Sequence, residues 1–143
     1  MKADEKTETA VMAVVNKFNE AYSRRDMDGL LALFAPDPDV IVIGTGADER
    51  RIGLAELKLQ AERDWSQSES LSFELGWRSV SAAGSVAWLA VEAVGWGMVD
   101  GQEISFPLRL TAVLEKRGDK WLCVQMHFST PAAGQAEGES IPT

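Results

Sequence analysis

Cysteine, histidine and tyrosine each occur once in the 143 residues, and those scarcities narrow the chemistry. With Cys123 alone, no intrachain disulfide and no thiolate metal cluster can form. With His127 alone, metal binding would need clustered carboxylates, and Asp37 and Asp39 read better as turn and cap residues. Cys123 and Ser129 share a strand face with His127, but Ser129 is two residues away, ~7 Å, and Cys123 is four, so both are too far for direct proton transfer. No apolar run reaches the ~18 residues that a membrane span needs. The start, Met1 to Lys6, is charged and has no apolar stretch behind it, so no secretory signal is expected and a reducing, cytoplasmic location is. Nor is there a block of Lys and Arg: 14 of them face 22 Asp and Glu, a formal charge of -8 that repels phosphate backbones and anionic lipid. Neither nucleic acid nor membrane is expected as a partner, and no cofactor is implied. Gly44-Thr45-Gly46 is not a phosphate cradle, because the next helix starts too late and Asp48-Glu49 would repel the phosphate.

Against these absences, 45% apolar and 25% charged residues are enough for one real core. Val11, Val14, Val15, Phe18 and Tyr22 recur at helical spacing over residues 8–24. Asp26 can cap a shorter helix carrying Met27, Leu30, Leu31 and Phe34, which Pro36 and Pro38 terminate. Val40 to Ile43 is a β-branched strand, residues 44–51 a loop, and Leu54, Leu57, Ala61 and Trp65 mark a third helix. From Leu71 the period changes to two, and strands are expected over 85–99, 102–116 and 120–129. Residues 1–7 and 131–143 are expected to be disordered ends around a domain spanning 8–130.

Asp100-Gly101 is a two-residue hairpin signal, which pairs residues summing to 201. Ala87, Leu89, Val91 and Ala93 then oppose Leu114, Ala112, Leu110 and Leu108, all apolar. Reading Arg117-Gly118-Asp119 as a three-residue turn sets those against Leu122, Val124, Met126 and Phe128. This face must lie under the helices. The opposite face is mixed, with Trp88, Trp96 and Trp121, with Cys123, and with a row Glu92–Arg109–His127 across three strands. Three tryptophans in water would be costly, so a homodimer through this face is expected, with Trp88, Glu92, Trp96, Arg109 and His127 at its interface. The polar row could be an acid–base relay, but it lies away from the helices and reads as an interface ion-pair row.

The segment from Ala21 to Asp37 (AYSRRDMDGLLALFAPD) and the closing strand Lys120 to Ser129 (KWLCVQMHFS) resemble a SnoaL-like domain of the third type. That group sits in the nuclear transport factor 2 (NTF2) superfamily, with ketosteroid isomerase. The resemblance covers roughly residues 8–130 and implies an α+β fold: a cone-shaped, strongly bent antiparallel sheet wrapped around N-terminal helices, with a pocket between. Aligned through Asp26 to Gly29, the oxyanion-binding tyrosine of ketosteroid isomerases falls on Phe18 and their aspartate base on Val42. Neither phenyl nor isopropyl can do that work, and Leu108 to Leu114 holds no carboxylic acid, so that isomerase machinery is excluded. The arginines by which the calcium/calmodulin-dependent kinase association domain captures a carboxylate fall on Ala112 and Phe128.

An apolar pocket is expected from Phe18, Tyr22, Phe34 and Trp65 together with Trp77, Leu110, Met126 and Phe128, with the Tyr22 hydroxyl and the Trp65 N–H as polar handles. No ionisable group convincingly faces inward. The sequence therefore favours a dimer that binds a small apolar molecule without evident catalytic machinery. Its rivals are an isomerase, cyclase or dehydratase-type enzyme, or an oligomerisation module.

Overall fold

The computed structural model describes residues 1–143. Helix α1 (Glu5–Arg24) begins three residues before the periodic pattern because Asp4 caps it, its carboxylate accepting from the Thr7 N–H at 2.7 Å. It ends at Arg25, whose left-handed backbone (φ 59°) turns the chain. The Arg25 guanidinium then donates to the carbonyls of Trp65 and Ser68, both at 2.5 Å, tying the end of α1 to the end of α3 (Leu54–Ser66). Asp26 caps the short α2 (Met27–Leu31) through the Gly29 N–H. Phe34 lies beyond that helix, bridged to Cys123.

Six strands follow the order β2-β1-β6-β5-β4-β3. They are β1 (Ile41–Ile43), β2 (Arg50–Ile52), β3 (Ser70–Ala83), β4 (Val86–Val99), β5 (Gln102–Arg117) and β6 (Lys120–Ser129). The sheet is mixed and not purely antiparallel: β1 runs parallel to β6 and forms a hairpin with β2, a strand that begins inside the stretch expected to be loop and ends at Ile52. Its helical side buries Val11, Val15, Phe18, Leu89, Val91, Leu110, Leu114 and Met126 in one core cluster. No helix is long and apolar enough to cross a membrane.

The β4–β5 register is the one expected, each pair from Val86↔Glu115 to Val99↔Gln102 in phase. Two neighbouring strands depart from simple alternation. In β6 the turn is only two residues long, pairing Arg117 with Lys120, and a bulge between Val113 and Leu114 restores the phase further on. Met126 and Phe128 therefore face inward opposite Ala112 and Leu110, while Cys123 opposes Leu114 and is buried. Trp121 packs against the core with it. The outer-face positions expected for Cys123 and Trp121 are thus corrected by one bulge. In β3 a bulge between Leu75 and Arg78 does the reverse. Leu71, Phe73 and Leu75 pack inward, but Trp77 is turned out and is 60% exposed, so it is no pocket residue.

The polar row is broken by the same shift. Arg109 still opposes Glu92, but across β6 it meets Ser129, whose hydroxyl accepts from its Nε at 3.1 Å, and His127 sits opposite Thr111. Residues 1–3, expected to be disordered, lie along the free edge of β3: Lys2 bridges Ser81 and the Ala3 N–H donates to the Val80 carbonyl at 3.0 Å. This shields part of an otherwise open edge. Residues 131–143 carry no helix or strand.

Burial pushes the Cys123 thiol up to about 12. We expect native protein to resist a thiol-reactive disulfide dye and to react fully once denatured. A fast-reacting native thiol would place Cys123 back on the outer face and remove the β6 bulge.

Candidate functional site

Between α1, α3 and the concave side of the sheet lies a cavity of about 280 Å³. Its far wall is apolar: Leu71 and Phe73 from β3, Val99 from β4, Phe106 and Leu108 from β5, and Phe128 from β6. Of the residues expected in the pocket, Phe18, Tyr22 and Phe128 line it. Phe34, Leu110 and Met126 are buried in the core behind it, Phe34 edge-on to Phe18 with ring centres 6.2 Å apart. Trp65 packs on the Tyr22 ring at 5.9 Å, and its N–H is already donated to the Tyr22 carbonyl at 3.1 Å, so it offers no handle to a ligand.

The near end of the cavity is polar, and here the sequence reading is overturned: ionisable groups do border the cavity. Asp64, Gln60, Glu49 and Arg51 all line it. Gln60 and Asp64 are one turn apart on α3, beside the buried Leu57 and Ala61, so both sit at the boundary of the helix's apolar face. The Tyr22 hydroxyl donates to Asp64 Oδ2 at 2.7 Å, and Gln60 Nε2 donates to Asp64 Oδ1 at 2.7 Å and to Glu49 Oε1 at 2.9 Å. Gln60 Oε1 accepts from Arg51 Nε at 2.8 Å. Gln60 is the one buried polar residue of the chain, at 8% exposure, and all three of those contacts are needed to satisfy its amide.

Glu49 belongs to the tight β1–β2 turn. Its carboxylate accepts from the Gly46 N–H and from Arg63 Nη2 at 3.1 Å, while Arg63 Nη1 reaches Asp48 at 2.8 Å. A side chain at Gly44 would collide with that carboxylate, a Cβ there standing 2.5 Å from Glu49 Oε2. The loop is therefore laid against α3 by charge and by close approach.

Burial raises the Asp64 carboxyl above the usual range, reinforced by the Glu49 charge. The Tyr22 and Gln60 hydrogen bonds and Arg63 pull the other way and do not prevail. Burial, followed by the Asp64 and Glu49 charges, pushes the Tyr22 hydroxyl up, which keeps it a neutral donor. A desolvated carboxylate with an attached phenol can take a proton from a bound molecule and return it. No group of three or more His, Cys, Asp or Glu side chains is arranged to hold a metal ion. Helical spacing could have flagged Gln60 and Asp64, but only as neighbours of the buried stripe. Nothing in the sequence says that a cavity opens beside them.

Residues 11–133 match the family model of the SnoaL-like domain. No curated protein matches the chain. Several solved structures share its fold. An NTF2-like superfamily protein from Salmonella enterica serovar Typhimurium has a TM-score of 0.84 at 16% identity, covering 97% of this chain and all of the other. A candidate dehydratase of the NTF2-like family from Streptomyces avermitilis has a TM-score of 0.81 at 20% identity, covering 92% of this chain and 100% of the other. A candidate aromatic ring hydroxylase from Novosphingobium aromaticivorans has a TM-score of 0.82 at 15% identity over 92% of this chain and 93% of the other. At these identities the likeness is one of fold, the α+β arrangement that the resemblance to a SnoaL-like domain implied. The family match, which spans most of the chain, settles membership: this protein belongs to the SnoaL-like domain family.

Proposed function

We propose that the protein binds a small, largely apolar molecule in the cavity under α1, and that Asp64 with Tyr22 moves a proton on it. The observation that carries this is the desolvated Asp64 carboxylate at the polar end of a cavity whose far wall is apolar, with the Tyr22 hydroxyl 2.7 Å away. Reactions of the isomerase, cyclase or dehydratase kind ask a protein for little beyond a base that becomes an acid. In an isomerisation of a carbonyl compound the Asp64 carboxylate takes a proton from the carbon beside the carbonyl, the C–H electron pair forms a carbon–carbon double bond, and the carbonyl π pair moves onto its oxygen; as that pair returns, a different carbon becomes the site of protonation. The proton is then returned at another atom, which regenerates the carboxylate. A raised proton affinity makes Asp64 a stronger base than an exposed aspartate, at the cost of holding it ionised in a drier place. The chain named as a candidate dehydratase is a relative in fold, consistent with this class of chemistry.

Passive binding is the second reading, and proton exchange separates the two. With a panel of small aryl ketones and aryl keto acids in D2O, wild type should accelerate exchange of the acidic C–H proton over buffer, followed by NMR. D64N should lose at least ~100-fold of that acceleration and Y22F less, since general-base catalysis contributes on that scale. Exchange no faster than buffer, with binding still seen by titration calorimetry, would leave only a binder.

Asp64 also gives a prediction that needs no ligand. The folded chain holds the Asp64 proton more tightly than the unfolded chain, so the fold is favoured while both forms are protonated, below the usual carboxyl value of 3.8. That advantage is lost as pH rises through the raised folded value. D64N, always neutral, should melt above wild type at neutral pH, and the difference should vanish in acid. A D64N protein less stable at neutral pH would make the carboxylate a structural support instead.

For assembly we propose a two-fold homodimer through the outer sheet face, in a reducing, cytoplasmic setting that suits a lone buried thiol. Trp77 is 60% and Trp96 48% exposed there, with Val94 nearby, and the same side carries Glu92, Arg109 and His127. A surface holding both aromatic area and both signs of charge is self-complementary across a two-fold axis. Light scattering should give twice the 15.6 kDa chain mass, and W96E should shift the protein toward monomer. A monomeric wild type overturns the dimer.

A further inference from the structure

The acids at the polar end of the cavity are all engaged, and one cation there is not. Glu49 accepts from Gly46, Gln60 and Arg63, and Asp64 from Tyr22 and Gln60. Asp48, on the same turn, is held by Arg63 through both terminal nitrogens. Arg51 also lines the cavity, but its single hydrogen bond runs from Nε to Gln60 Oε1 at 2.8 Å. Its two terminal nitrogens have no protein partner, and no carboxylate comes within ion-pair distance of it; Asp48 feels its charge without contact.

The Nε contact matters because it orients the fork. A guanidinium held at Nε by a buried amide that is itself held by two carboxylates has lost most of its freedom, so little further order is needed to accept a ligand. Two unpartnered, parallel N–H groups beside an apolar chamber match the two oxygens of a carboxylate. The chain's charge of -8 opposes an anion at a distance, so recognition must be made at contact, inside the chamber, where screening by water is weakest.

We propose that Arg51 is the specificity-determining residue of the cavity and that the ligand is a small hydrophobic carboxylic acid. Its carboxylate pairs with the Arg51 terminal nitrogens, and its apolar body lies against Phe73, Phe106, Leu108 and Phe128. This rests on the cavity being a ligand site, as proposed above, and adds the chemistry of the head group. The carboxylate so anchored leaves the atoms next to it facing Asp64 and Tyr22, which line the same chamber.

Titration calorimetry of the full chain with 3-phenylpropionate and with its neutral amide tests the assignment. Wild type should bind the acid at least ~10-fold more tightly than the amide, the size of one good charge-assisted contact. R51Q should abolish that preference while keeping amide binding. R51K, which retains charge without the fork, should fall between. D64N should keep the preference for the acid, since Asp64 is not its partner. Equal affinity for acid and amide in wild type overturns the assignment without reference to any variant, as does an unchanged preference in a folded R51Q. Should neutral aryl ketones bind but the acid not, Arg51 loses its role and the cavity reading stands. Should no aryl compound bind at all, both fall.

Discussion

Along β5 the inward positions Leu108, Leu110, Ala112 and Leu114 keep one phase without interruption, and the core and cavity are built on that phase. The strand pairs on both sides, so each neighbour must present apolar side chains to the same layer or leave it partly unfilled. β4 does so by plain alternation from a two-residue turn. β6 cannot, because its own two-residue turn starts it one step out, and the extra residue at the bulge brings Met126 and Phe128 back into line. Where a strand cannot hold the phase and also keep the sheet continuous, one unpaired residue is the smaller disruption. It costs a local ladder bond, whereas a wrong phase would turn every later side chain to the other face.

The β3 bulge has a different consequence. Ahead of it Leu71 and Phe73 reach the cavity wall, and beyond it Val80 packs into the core opposite Leu89. Trp77 falls between these regions and is thrown outward, joining Trp88 and Trp96 on the outer side. The outer face thereby keeps three tryptophans although Trp121 has moved inward. The aromatic richness expected of that face survives with one member exchanged, and so does the physical case for covering it.

Composition and periodicity made the architecture legible because both act over many residues: Val11 to Tyr22 can only be one face of one helix, and Ala87 to Ala93 opposite Leu108 to Leu114 can only be one sheet side. Single-residue events were not legible. Nothing near Gly76 or Val124 announces a bulge, so Trp77 and Cys123 change face against expectation, while His127 keeps its face and opposes Thr111 in place of Arg109. The short β2 strand, Arg50-Arg51-Ile52, was hidden because two charged residues look like loop until the hairpin partner Val42 is seen opposite Arg51. The polar end of the cavity was missed for a related reason. Gln60, Asp64, Glu49 and Arg51 each read as ordinary solvated residues, since hydropathy assigns polar side chains to water. Only the folded chain shows that a helix, a tight turn and a hairpin strand enclose them with Tyr22.

Where they are enclosed bears on the chemistry. Phe18 occupies the position that aligns with the oxyanion tyrosine of ketosteroid isomerases, and Val42 that of their base, and both are buried apolar residues here. The phenol of this chain instead sits four residues further along α1, about 6 Å by helical rise. Its carboxylate comes from α3 rather than from the first strand. The shift also leaves the deep end of the cavity to Phe73, Phe106 and Phe128, so the polar atoms gather toward α3 and the apolar ones toward the sheet. A chamber divided in that way would orient an amphipathic ligand lengthwise before any specific contact is made. Desolvation would drive the apolar body of such a ligand to the sheet end and leave its polar atoms facing Asp64, Tyr22 and Arg51.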